Sequence, residues 1–336
     1  MTALPSSPRA KEDDFVVLSG WRYRAVAWSV LFAAVGYLGF AMWSGWHEVA
    51  AAVRKVGIVG AGVALLLSLL NYGLRFIRWQ AYLAAMDHPV PWRPSLKIYL
   101  AGFALTTTPG KAGEALRGVF LRRWHMPYAM SLAAFLSERL SDLLAIVVLT
   151  LFGLSEYPAA QPLVAAGSVG ILAALLVLSN QKVLVWLHDV VSDTTRTSRL
   201  IRHLLQILLQ ARRCHAPVLL LTATALSIVA WSAEAFAFHL ILDWMNLDIP
   251  LPFAFFVYAV SMLAGALSFM PGGLGGAEAL MVTLLVWKGV GEAEAVAATV
   301  LIRLATLWFA VGIGAVILSS IAGGRSGNRN KATLTG

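Results

Sequence analysis

Ala266-Leu267-Ser268-Phe269-Met270-Pro271-Gly272-Gly273-Leu274-Gly275-Gly276-Ala277-Glu278-Ala279-Leu280 places four glycines, a proline and a carboxylate inside one of the most apolar parts of a 336-residue chain. Neither proline nor clustered glycine lets an α-helix run on, so a helix is expected to break here. An earlier stretch answers it: Ala104-Leu105-Thr106-Thr107-Thr108-Pro109-Gly110-Lys111-Ala112-Gly113-Glu114-Ala115-Leu116 has the same Ala-Leu-x-x-x-Pro-Gly opening and Glu-Ala-Leu ending. Pro109 and Pro271 are offset by 162 in the numbering (271 minus 109) and Glu114 and Glu278 by 164 (278 minus 114). An arginine follows each glutamate at an offset of 25, at Arg139 and Arg303. Three features in one register predict an internal duplication with discontinuous helices at its centre.

Composition says where such helices live. The chain is 59% hydrophobic and 13% charged, with a mean hydropathy of +0.75, whereas soluble domains average roughly a quarter charged. A single polytopic membrane domain is predicted, with no room for a soluble one. The formal charge of +9 falls in loops and tails, which is the signature of membrane orientation and not of nucleic-acid binding. The single cysteine, Cys214, excludes an intramolecular disulfide framework and a cysteine-based metal site.

Residues 1–24 read as a cytoplasmic N-terminal tail and Ala25–Trp43 as the first span. The second begins near Gly57 and continues through Arg75 and Arg78, which share a helix face; they either snorkel to cytoplasmic headgroups or receive an anionic group. Gly57, Gly60 and Gly62 read as close helix packing. Ser95–Leu121 is two half-length segments meeting at Thr106–Gly113, a re-entrant hairpin returning to Arg122, Arg123 and His125. Ala129–Phe152 is a span with Glu138, Arg139 and Asp142 embedded, and 163–179 another. The segment 182–215 contains an amphipathic run, Leu200–Leu209, expected on the cytoplasmic face with a solvated linker helix as the alternative. Pro217–Asp243 crosses with Glu234 inside it, Leu251–Trp287 is the second broken element, Ala293–Ile321 carries Arg303, and 322–336 is a basic cytoplasmic tail. External loops then hold only Arg54, Lys55 and Lys288.

The predicted fold is therefore all-α and polytopic, with about six spanning helices and two re-entrant broken-helix hairpins. The domain occupies 25–321, with repeat one at about 57–153 and repeat two at about 217–321, every direction reversed between them. Inverted repeats allow a transporter to exchange inward- and outward-facing states.

Ionisable groups at bilayer depth cost a few kcal/mol each and persist where they pair or line a wet cavity. Arg75, Arg78, Lys111, Arg117, Arg139 and Arg303 are the candidate substrate-binding cations, suited with broken-helix N–H groups to a phosphate. Glu114, Glu138, Asp142, Glu234 and Glu278 are candidates for proton or ion coupling, or simply for charge pairing: Glu114 with Arg139, Glu278 with Arg303, Arg139 with Asp142. The helix breaks are assigned to Pro109, Gly110, Gly113, Pro271, Gly272, Gly273, Gly275 and Gly276. No metal-ligand spacing joins the seven histidines, and no Walker loop, His-Glu-x-x-His or nucleophile elbow is present. No cofactor and no catalytic residue is assigned.

With Leu74-Arg75-Phe76-Ile77-Arg78-Trp79, the Thr-Pro-Gly-Lys-Ala-Gly-Glu-Ala-Leu-Arg block at 108–117, Ser137-Glu138-Arg139-Leu140-Ser141-Asp142, Pro271–Glu278 and Arg303, the chain resembles the family named for the transmembrane region of lysylphosphatidylglycerol synthase/flippase, over about 71–317. The resemblance implies lipid translocation between leaflets of a bacterial cytoplasmic (inner) membrane, with phospholipid, polyprenyl-linked or hopanoid lipids as partners and lipid-biosynthesis enzymes as candidate associates. The aminoacyltransferase domain that makes lysylphosphatidylglycerol is not among these residues, so synthesis is not expected. Two alternatives stand beside the flippase: an integral membrane transferase with a lipid-linked donor and Glu138 or Asp142 as base, and a scaffold for a lipid-synthesis complex.

Overall fold

The computed structural model describes residues 46–106, 117–154, 180–191, 195–268 and 272–333, with a few further positions between 35 and 39 and between 161 and 173. The described residues form no strand. In chain order the helices are α1 Trp46–Ala85, α2 Trp92–Ala101, α3 Arg117–Leu121, α4 Tyr128–Phe152, α5 Gln181–Val190, α6 Arg196–Ala211, α7 Pro217–Trp244, α8 Leu251–Leu267, α9 Gly276–Trp287, α10 Glu292–Arg303 and, after a π-helical turn at Leu304–Trp308, α11 Phe309–Thr333.

Three described helical stretches are long and apolar enough to cross a bilayer: His47–Ala85, Pro217–Trp244 and Glu292–Ile321. Helix α4, at 25 residues, spans about 37 Å at 1.5 Å per residue, but Glu138, Arg139 and Asp142 lower its apolar character. The expected spans Ala25–Trp43 and 163–179 lie largely outside the described residues, as do Pro109, Gly110, Lys111, Gly113, Glu114 and Pro271.

Two expectations about α1 need correcting. Arg54 and Lys55 belong to the helix and not to a loop, and the sequence signal for a start near Gly57 is instead a kink, with Gly57 at φ 65° and ψ −178°. Of the three glycines read as packing sites, Gly60 alone meets another helix: a Cβ there would lie 2.7 Å from the Trp244 ring, while nothing stands within 4 Å at Gly57 or Gly62. The kink costs Gly57 little because it has no Cβ to clash at positive φ.

Backbone geometry recurs at fixed offsets. After α1, Asp87 adopts φ 60°, Asp87 N–H bonds Ala84 O at 3.0 Å and His88 N–H bonds Leu83 O at 3.1 Å. After α7, Asn246 adopts φ 61°, with Asn246 N–H on Asp243 O at 2.8 Å and Leu247 N–H on Leu242 O at 3.0 Å. The two turns are offset by 159 in the numbering (246 minus 87). Both are Schellman turns, which cap the orphan carbonyls of a helix end. Each leads through an extended proline, Pro91 or Pro250, into the next helix. Positive φ recurs after α3 and after α9, at His125 (φ 58°) and Gly289 (φ 99°), with the offset now 164 (289 minus 125).

Helices α8 and α9 are antiparallel and joined by a glycine turn. The start of α8 meets the end of α9, where Lys288 Nζ sits 4.9 Å over the Phe253 ring and Phe253 packs on Trp287 at 6.2 Å between centroids. At 17 and 12 residues, these arms reach only about 25 and 18 Å, short of a roughly 30 Å hydrocarbon core. In the first half α2 continues into a 3₁₀ turn at Gly102–Leu105, and α3 returns beside it, with Gly102 packed against the Arg117 side chain. Two apolar clusters form the core, and each draws on distant parts of the chain: Leu83, Ile98 and Leu121 pack with Ala223 and Leu318 in one, Ile146 and Leu149 with Leu242, Val257 and Leu285 in the other.

Helix α6 covers the predicted amphipathic run. Leu205, Ile207 and Ala211 are buried, and Leu200, Ile201 and Leu204 stay exposed.

Candidate functional site

Helix α4 sets two carboxylates one turn apart, and arginines from α1, from α3 and from α4 itself come to them. Glu138 accepts from Arg117 Nη1 at 3.0 Å and pairs with Arg78 Nη2 at 3.7 Å. Asp142 accepts from Arg78 Nη1 at 2.7 Å and from Trp231 Nε1 at 3.0 Å; Arg139 and Arg75 pair with it at 3.2 and 3.5 Å. Arg78 also donates to the Ser227 hydroxyl. Arg117 lies 4.3 Å over the Tyr99 ring, and Arg75 lies 5.6 Å from the Trp231 centroid. Four guanidinium groups thus converge on two carboxylates, an arrangement in which each ion's desolvation cost is offset by partners and aromatic faces.

The snorkelling reading of Arg75 and Arg78 is overturned. Arg78 is 0% exposed and Arg75 7%, because α1 turns this face toward α7 and α4 and the carboxylates of α4 hold both heads inside. Neither stands at a headgroup surface.

In the second half the glycine turn is built around one ion pair. Arg303 Nε donates to Glu278 Oε1 at 2.7 Å and its Nη2 donates to Gly272 O at 2.9 Å. Glu278 Oε2 in turn accepts from Gly275 N–H at 2.6 Å, so the carboxylate at the third position of α9 caps the helix start. Gly272, Gly273 and Gly275 adopt φ of 66°, 69° and 86°. Gly276 does not break the helix; it is the first residue of α9, where a Cβ would lie 2.9 Å from Ser268 Cβ. Glu234, buried on α7, accepts from Tyr258 Oη at 2.5 Å.

The two halves meet over cavities. One of about 280 Å³ is lined by Arg139 and Asp142 on α4, Gly272 and Gly273 on the turn, and Trp231, Met262 and Arg303. Arg139 and Arg303 therefore face one space, and Arg139 keeps 21% of its side chain exposed. A smaller cavity of about 50 Å³ is lined by Tyr72, Arg75, Phe103, Glu234, Arg303 and Thr306, among others. Among the described residues no group of three or more His, Cys, Asp or Glu could hold a metal ion.

Several residues here escaped the sequence reading. Tyr72 donates to Thr306 O at 2.5 Å, a carbonyl in the π-helical turn, where the regular hydrogen-bond ladder is interrupted. Asn71 Nδ2 donates to Ala230 O at 2.8 Å, across an offset of 159, where α1 crosses α7. The signal was in the chain: Ser68 with Ser227, Tyr72 with Trp231, and Arg75 with Glu234 share that offset.

Against known proteins, the family model described as "Lysylphosphatidylglycerol synthase TM region" matches residues 26–314. A "UPF0104 membrane protein" of Methanothermobacter thermautotrophicus is 26% identical over 298 residues, covering 80% of this chain and 88% of the relative. With the apolar helices, these similarities make this a multi-pass membrane protein.

Proposed function

The chain belongs to the lysylphosphatidylglycerol synthase TM region family, and from that premise we propose that it moves a lipid with an anionic, phosphate-bearing headgroup between leaflets. The observation that carries this reading is the cavity shared by Arg139 and Arg303 beside the Gly272–Gly273 turn. Planar guanidinium forks from two directions suit a tetrahedral phosphate, and the turn supplies backbone polar groups at the same place. The acyl chains stay in the bilayer while the headgroup crosses.

The topology that goes with this function has six spans and two re-entrant hairpins, the second being α8 and α9. The halves are inverted in a bacterial inner membrane, both termini are cytoplasmic, and α6 lies on the cytoplasmic interface with its exposed leucines in lipid. The short arms and the paired Schellman turns support it. Movement is downhill or ion-coupled, with Glu234 on Tyr258 the candidate proton carrier of the second half. The transferase alternative asks Glu138 or Asp142 to act as a base, yet both are ion-paired with two or more arginines, which favours the flippase.

The test is headgroup translocation in proteoliposomes of purified protein, read by dithionite quenching of head-labelled phosphatidylglycerol. Protein-dependent quenching of the inner leaflet supports transport; a chemically altered lipid with no translocation would replace it by the transferase.

A further inference from the structure

The two cavities are related residue by residue. At the offset of 159 seen where α1 crosses α7, Tyr72, Phe103 and Thr106 of the small one correspond to Trp231, Met262 and Gly265 of the large one. At the offset of 164 that relates His125 to Gly289, Thr306, Leu307 and Ala310 of the small one correspond to Asp142, Leu143 and Ile146 of the large one. A contact obeys both offsets at once: Tyr72 Oη on Thr306 O, at 2.5 Å, has as its counterpart Trp231 Nε1 on Asp142 Oδ1, at 3.0 Å. A chance alignment of sequence would not place a bond between two different elements in matching positions of each half.

We propose that the smaller cavity is a second site for the phosphate-bearing headgroup, the repeat counterpart of the larger one, closed in this conformation and opened as the larger one closes. This rests on the transport reading. Arg303, Trp231, Met262 and Leu307 line both spaces, so a group bound to Arg303 passes from one to the other by motion of that shared wall. Arg75 lines the small cavity, and Glu234, which holds the position equivalent to Arg75, faces the same space. The asymmetry has a local cause: Leu304–Trp308 is π-helical, whereas the corresponding segment of α4, residues 140–144, is regular α-helix. A π turn carries one residue more than an α turn, so its relaxation rotates Thr306 and Leu307 out of the small cavity. Exchange of two packed arrangements, and not gradual deformation, is how such cores move.

The experiment uses the full chain with Cys214→Ser, reconstituted in phosphatidylglycerol-containing nanodiscs, and single cysteines at the counterparts Ile146 and Ala310. An anionic methanethiosulfonate is the probe. In the parent background Ile146→Cys reacts about tenfold faster than Ala310→Cys. Adding Leu143→Trp, which fills the large cavity, raises the Ala310→Cys rate about tenfold and lowers that of Ile146→Cys. The anionic reagent also outruns its cationic analogue at Ala310→Cys. Rates that move together, an Ala310→Cys that stays unreactive, or faster cationic labelling would overturn the second site. Leu143→Phe serves in the same way if the tryptophan variant elutes as aggregate. Dithionite quenching on the parent protein separates the two failures: translocation without reciprocal labelling removes the second site alone, and loss of translocation removes the transport reading.

Discussion

Arg303 and Glu278, at opposite ends of the segment that holds α9 and α10, form a buried pair at 2.7 Å whose two ends also hold the glycine turn, through Gly272 O and Gly275 N–H. Arg303 is at the same time a wall of both cavities. One side chain therefore joins the turn's integrity to the proposed binding space.

Breaking that pair has two separable effects. Glu278→Gln leaves a buried guanidinium without its counter-charge and is expected to cost about 3–5 kcal/mol, seen as a lowered thermal midpoint in lipid nanodiscs. Arg303→Lys keeps the charge but loses the fork to Glu278 and Gly272; translocation falls at least about tenfold while the protein stays folded.

Arg139 and Arg78 should part company. Arg78 is fully enclosed between Asp142, Glu138 and Ser227, so Arg78→Ala removes the one guanidinium that bridges both buried carboxylates and destabilises the protein by about 3–5 kcal/mol. Arg139 shares Asp142 with other cations and reaches the cavity; Arg139→Ala keeps the thermal midpoint within a few degrees and abolishes translocation. A scaffold would show the opposite for activity, with Arg139→Ala and Arg303→Ala both functional.

Gly273 combines φ 69° with a packing constraint, since a Cβ there would sit 3.0 Å from Gly265 Cα. Gly273→Ala is expected to destabilise by about 1–3 kcal/mol from the backbone alone and to separate α8 from α9. Gly62→Ala, which meets open space, is the matched control and stays near neutral. Thermal unfolding of both variants checks this.

At the head of α7, burial pushes the Cys214 thiol up to about 12 and pulls the His215 imidazolium below its ordinary range. Cys214 is therefore protonated and shielded, and iodoacetamide at about pH 8 should label it only after unfolding in detergent. For His215 the unfolded chain takes up a proton first as pH falls, so stability is retained above the ordinary histidine range and lost below it. His215→Leu should narrow the gap between thermal midpoints measured at about pH 7.5 and about pH 5.5.

The sequence by itself determined that this is a helical membrane protein with a helix break at the Gly272–Gly275 turn, because apolar length and glycine clusters are local properties. It also set Arg139 and Arg303 at the same distance, 25 in the numbering, from Glu114 and Glu278, a spacing that is written in the chain. It did not determine which way Arg75 and Arg78 face: a cation near a helix end can reach lipid headgroups or turn inward, and only the approach of α4 and α7 decided for Asp142 and Glu138. Nor did it connect Tyr72 with Trp231 or Arg75 with Glu234. The offset between recurring features is 159 early in the chain and 164 later (289 minus 125), so no single shift brings them all together. The cavities themselves lie between residues from segments far apart in the chain, and contacts of that range exist only once the chain is packed.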